Sequence, residues 1–102
     1  MRWNTGSNGF QYKKSIIIKN RWFDICVLKI LTDGYINDHV DEGKQLRINI
    51  NLPNRHSGGE FECINAYFNC CGISLYEAST HRHRFKKVIF GTKYIISFGI
   101  YL

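Results

Sequence analysis

Histidine, arginine and lysine crowd one short stretch of this chain, His81-Arg82-His83-Arg84, with Lys86 and Lys87 just beyond it. Guanidinium and ammonium groups meet phosphate oxygens, whereas hydroxyl and imidazole groups are the types that reach base edges. Tyr76, Ser79, Thr80, Arg82, His83, Arg84, Lys86 and Lys87 therefore form the candidate nucleic-acid-binding set. The same histidines admit other chemistry. Together with Cys63 and Cys70 or Cys71, His81 and His83 make a donor set for zinc, but structural zinc sites use closely spaced cysteine pairs and Cys63 lies two helical turns from Cys70, so no metal is assigned. With histidine as acid or base and arginine on the phosphate, the run would also suit a metal-independent ribonuclease, while histidines at a basic helix end equally serve just to offset the helix dipole. Asp33, Asp38, Asp41 and Glu42 could hold Mg²⁺, yet they lack the alternating order of a calcium loop and read as a solvated, turn-rich segment. No catalytic motif stands out, no catalytic residue or cofactor is assigned, and the expectation is a protein that is not an enzyme.

Two helices are the elements expected to carry the basic run. Ser57-Gly-Gly-Glu60 and Ser74-Leu-Tyr-Glu77 both fit the capping box, in which serine accepts from an exposed backbone N–H and glutamate reaches back to the cap. Phe61, Ile64, Phe68 and Cys71 fall on one helical stripe, and Gly72 follows as a stop. The spacing predicts helices near 58–71 and 75–83. Elsewhere, Leu46, Ile48, Ile50 and Leu52 alternate with Arg47, Asn49 and Asn51, a period of two that predicts a strand over 46–52. Gly91-Thr92 sits between two apolar runs and predicts a C-terminal hairpin of 86–90 with 93–101. Residues 21–32 satisfy both strand and helix templates, and 1–10 read as a flexible arm. The expected fold class is α+β, a small antiparallel sheet of about four to five strands with two consecutive helices, all within one domain over 1–102.

A helix, a tight turn at Gly72-Ile73-Ser74 and a second helix with a basic exposed face resemble a helix-turn-helix unit, with the hairpin in the place of a wing. That resemblance implies a small basic nucleic-acid-binding protein. The charge agrees: the net value is +6, concentrated at residues 1–32 and 81–102, with acidic blocks at 33–43 and 60–80. The alternative is a small non-enzymatic inhibitor or adaptor that covers a partner protein's surface, since the chain is short, rich in aromatics and without a catalytic motif. Its bias towards isoleucine and asparagine suits an AT-rich phage or other mobile element under either reading. Partners are thus nucleic acid or protein, with no apolar run long enough to span a membrane and a cytoplasmic location expected.

Overall fold

The structure is a computed structural model that describes residues 2–102. Among the described residues every regular element is a strand: β1 (Asn4–Thr5), β2 (Gly9–Lys19), β3 (Phe23–His39), β4 (Gln45–Asn51), β5 (His56–Gly58), β6 (Phe61–Cys63), β7 (Phe68–Cys70), β8 (Ile73–Glu77), β9 (His83–Phe85), β10 (Val88–Gly91) and β11 (Lys93–Tyr101). The α+β expectation is overturned, because the stretches read as helices at 58–71 and 75–83 are occupied by β5 to β9 and their turns.

Backbone geometry explains the misreading. Cys71 and Gly72 carry φ of 57° and 80° between β7 and β8, the consecutive left-handed pair that closes a two-residue hairpin and that no helix accommodates. Along β8 and β9 burial alternates, with Ser74, Tyr76, His83 and Phe85 buried and Leu75 and Arg84 more open, which is a period of two. Neither capping box forms. Ser74 donates from Oγ to Asn69 Oδ1 (2.9 Å), and the Glu77 carboxylate accepts from the Gln45 N–H and from the Ser79 and Thr80 hydroxyls. Burial would raise the Glu77 pKa, but those donors outweigh it and hold the carboxyl down at about 2. Phe68, expected on a buried helical stripe, is 50% exposed on β7.

The strands pair antiparallel in the order β1-β2-β3-β11-β4-β8-β7, with β9 bridging β3 and β6, and with β5 and β10 forming a separate two-stranded sheet. At 17 residues β3 belongs to both layers: Phe23 to Ile30 pair with β11, while Ile36 and His39 pair with Phe85 and His83 of β9. Residues 21–32, ambiguous in the sequence, are strand. The C-terminal hairpin is also corrected. Its two strands exist, but β10 pairs with β5 whereas β11 inserts between β3 and β4. Within the segment read as an arm, Asn4 and Thr5 pair with Lys14 and Lys13 of β2.

The alternation expected at 46–52 is present over Gln45–Asn51, and its polar members face inward. Gln45, Arg47 and Asn49 are buried, while Leu46, Ile48 and Ile50 point to the outer side of the sheet. Arg47 presents its guanidinium to both oxygens of Asp24 (Nη2–Oδ1 2.5 Å, Nη1–Oδ2 3.2 Å), and Asp24 also accepts from the Tyr101 hydroxyl. From Arg47 Nε the bonding continues through Ser97 Oγ (2.9 Å) and Asn49 Oδ1 (2.7 Å), and the Asn49 amide then donates to the Tyr76 oxygen (3.0 Å). Gly99 makes room for it: a Cβ there would lie 2.4 Å from Arg47 Nη1. An apolar cluster of Tyr12, Ile30, Ile36, Phe85, Val88 and Ile95 fills the rest of the interior.

All four cysteines are free thiols. Cys26 is buried, whereas Cys70 and Cys71 are exposed beside the β7–β8 turn. A thiol reagent added to the native protein is expected to modify Cys70 and Cys71 at once and Cys26 only after unfolding. Rapid reaction of Cys26 would contradict the buried placement.

Candidate metal centre

Where β3 ends and β9 begins, the register sets His39 opposite His83. Asp41 lies two residues past the end of β3, in the turn before β4, and its N–H is tied to the Ala78 carbonyl (2.9 Å). The three side chains converge, with all their donor atoms within 4.8 Å of one another. His39 Nε2 stands 3.2 Å from one carboxylate oxygen of Asp41 and His83 Nε2 3.6 Å from the other. The two rings sit 4.5 Å apart, and the His83 ring packs on Tyr76 (4.7 Å).

Each imidazole is oriented from behind. His39 Nδ1 lies 2.6 Å from the Asn37 carbonyl and His83 Nδ1 2.7 Å from the His81 carbonyl. A carbonyl oxygen only accepts, so both Nδ1 atoms carry hydrogen and donate, and in the neutral rings both Nε2 lone pairs point at one carboxylate. Two lone pairs facing an anion are unfavourable until a cation, either a proton or a metal, comes between them. The proton is one such cation, and the electrostatics of the site favour it. Hydrogen bonding to Asp41 raises the His39 pKa against the opposing effect of burial. Burial would push Asp41 upward, but its bonds to His39 and His83 bring its carboxyl well below the usual carboxylate range.

These donors fit a divalent transition metal. Imidazole nitrogens and carboxylate oxygens bind such ions at about 2.0–2.2 Å, which places neighbouring donors about 3 Å apart, near the separations present here. The three groups line a cavity of about 440 Å³ that also reaches Arg47, Tyr76 and Phe85. Two histidines and one carboxylate on one side, with a cavity on the other, form the arrangement that non-haem iron sites use.

No family model and no curated protein sequence matches this chain. Its fold is similar to solved structures: the cupin domain of Schizosaccharomyces pombe Cnp3 (TM-score 0.69, 9% identity, covering 100% of this chain and 69% of that one). A second is the Rhodobacter sphaeroides SigE complex with the anti-sigma ChrR (TM-score 0.61, 18% identity, 98% of this chain and 48% of that one). A third is an oxidoreductase of the 2OG-Fe(II) oxygenase family from Burkholderia pseudomallei (TM-score 0.60, 17% identity, 86% of this chain and 44% of that one). The chain thus spans about half the length of the last two. At such identities the likeness is one of fold, and the fold is a cupin-like β barrel.

The helix-turn-helix reading, and the nucleic-acid-binding function built on it, are overturned: residues 58–83 hold no helix among the described residues, and the structural neighbours are cupin domains. The residues proposed for that surface are distributed over different environments. Tyr76 and His83 are buried, and desolvation drives the Tyr76 hydroxyl pKa upward. Ser79 and Thr80 are bound to Glu77. Arg82 pairs with Asp38 (2.9 Å), Arg84 and Lys86 with Glu62 (2.5 and 3.6 Å), and Lys87 with Asp33 (3.6 Å), all on the exposed surface. No helix of the described residues is long and apolar enough to cross a membrane. Of the zinc donors weighed in the sequence, only His83 belongs to the centre. Asp41 is among the carboxylates weighed for Mg²⁺ and His39 is not a candidate; the local signal for them is no more than the His39-Val40-Asp41 spacing, which puts an imidazole and a carboxylate two residues apart.

Proposed function

We propose that His39, Asp41 and His83 hold one divalent transition metal, and that the remaining coordination positions open onto the interior cavity to receive a small ligand with oxygen donors. The observation that carries this reading is the use of both Nδ1 atoms by backbone carbonyls, which commits two Nε2 lone pairs to one carboxylate. Three protein ligands with open positions suit a catalytic ion better than a structural one, which is closed by four. The likeness to a 2OG-Fe(II) oxygenase family member supports an oxidoreductase of that general kind, in which the ion would supply redox or Lewis-acid chemistry. The chain's own groups would do the rest. His39 and His83 are held in one tautomer by Asn37 and His81, and the bonded row from Asp24 to Tyr76 gives the cavity a fixed polar wall for a small polar molecule.

Anaerobic dialysis against Fe²⁺, Mn²⁺, Co²⁺ and Zn²⁺ tests the reading. One ion per chain is expected, and His83→Ala or Asp41→Ala should weaken binding at least 100-fold, about 2.7 kcal/mol, with an unchanged far-ultraviolet spectrum. Binding that is absent in the parent, or equal in parent and variants, overturns it.

A further inference from the structure

Cys70 and Cys71 take no part in the metal centre or its cavity and lie exposed where β7 turns into β8. Their Sγ atoms are 3.1 Å apart, with one S–H donated to the other sulfur. Successive residues of a strand send their side chains to opposite faces, so the approach comes from the turn, where Cys71 leaves the extended conformation at φ 57°. A two-residue turn with both residues left-handed is ordinarily built from asparagine or aspartate followed by glycine. Gly72 meets that preference and Cys71 does not, so a thiol occupies a strained position that turn chemistry alone does not ask for. The tip is also held in place. Ile73 pairs with Cys70, and the Asn51 N–H donates to the Gly72 carbonyl (2.8 Å). The two thiols therefore stand side by side before any ligand arrives, which removes much of the ordering cost of binding one.

We propose that Cys70 and Cys71 form a chelating site for trivalent arsenic, taken as arsenous acid or an organic arsenic(III) acid. Geometry selects this ligand over two others. A disulfide is disfavoured, because neighbouring Cα atoms across a trans peptide are about 3.8 Å apart and disulfides begin at about 4.4 Å, so closing one would distort the turn that Asn51 holds. Zinc fits poorly as well. With sulfur about 2.3 Å from the ion, two sulfurs 3.1 Å apart subtend about 85°, against about 109° in a tetrahedral site. A three-coordinate pyramidal centre that carries a lone pair bonds near a right angle, and a soft one takes thiolate in preference to nitrogen or oxygen. The step balances without a co-reactant. Two As–S bonds form and two As–O bonds break; each departing hydroxyl takes one thiol proton and leaves as water, arsenic stays trivalent and neither sulfur is oxidised. The third position keeps its hydroxyl or organic group. Hydrogen bonding to Cys71 raises the Cys70 pKa, which hinders a cation that must displace the proton but not a ligand whose own hydroxyl removes it. His39, Asp41 and His83 offer only nitrogen and oxygen, so the inference stands apart from the metal reading.

Phenylarsine oxide is the probe, added to the full chain after reduction with a phosphine and removal of the reductant. Native mass spectrometry is expected to show a single adduct per chain, and the thiols titratable after unfolding should fall from four to two. A dithiol such as 2,3-dimercaptopropanol should strip the adduct, whereas a monothiol at the same thiol concentration should not, because only the dithiol matches the chelate. Cys71→Asn suits the left-handed position and so keeps the turn; it and Cys70→Ser should each weaken binding roughly 100-fold or more, the loss of the second, intramolecular bond. Cys63→Ser and His83→Ala should bind the arsenical as the parent does. The absence of an adduct on the reduced parent, an adduct equally tight on folded Cys71→Asn, or one that a monothiol removes would overturn the inference, and none of these results bears on metal binding at His83.

Discussion

Replacing Arg47 with methionine is expected to destabilise the fold by about 3–5 kcal/mol, the cost of leaving a buried carboxylate without its partner. Methionine matches much of the arginine's volume, so the loss isolates charge and hydrogen bonding. Asp24 would keep only the Tyr101 hydroxyl, while Ser97 and Gln45 would each lose a donor. Against a typical total of about 5–15 kcal/mol, such a loss shifts the urea midpoint far enough that a change under about 1 kcal/mol would refute the buried network. The double change Asp24→Asn with Arg47→Met should recover part of it, because no buried charge then remains. The pH dependence has a definite sign. Burial opposes ionisation of Asp24, but Arg47 and Tyr101 outweigh it, so its folded pKa is depressed. Its stabilisation is present above its ordinary carboxylate range and is lost as pH falls through the lower folded value.

The second large effect is a reversal of pH dependence on adding metal. Without metal, His39 is stabilised as the cation beside Asp41, so its raised pKa contributes stability that is complete below about 6.5 and is lost as pH rises through the folded value. A metal needs the same Nε2 without its proton. Affinity for Zn²⁺ should therefore climb about tenfold per pH unit up to the His39 pKa and level off above it. Thermal melts across pH 5.5–8.5 should thus show the metal-free protein weakening at high pH and the Zn²⁺-loaded protein strengthening. Asp41→Ala should remove both trends. Parallel pH profiles with and without Zn²⁺ would show that the ion binds elsewhere.

What the sequence made legible was local and periodic. The alternation from Leu46 to Leu52 located β4, and the apolar runs beside Gly91 located β10 and β11 to within two residues. It misled where a local signal had two physical meanings. Ser74 and Glu77 have the spacing of a capping box, yet the same groups satisfy a strand end and its turn, and Phe61, Ile64 and Phe68 match a helical stripe although Phe61 and Phe68 lie on different strands and Ile64 in the turn between them. The facing of β4 was hidden because Arg47 and Asn49 look like solvent residues until Asp24 and Ser97, about 23 and 50 positions away, supply their partners. The metal centre was hidden for a related reason: only the bulged register between β3 and β9 brings His83 to His39.

The insertion of β11 between β3 and β4 has a kinetic consequence. Lys93 through Ile100 must find Phe23 through Ile30, partners about 70 residues back along the chain, before the large sheet is continuous. On the ribosome β3 and β4 are both made long before the strand that joins them, and until it arrives each holds an unpaired edge lined with isoleucine. Closure is therefore a late event governed by long-range pairing, which makes for slow folding and a nascent chain prone to aggregation. Removing 93–102 would not trim a terminus but would split the sheet down its middle.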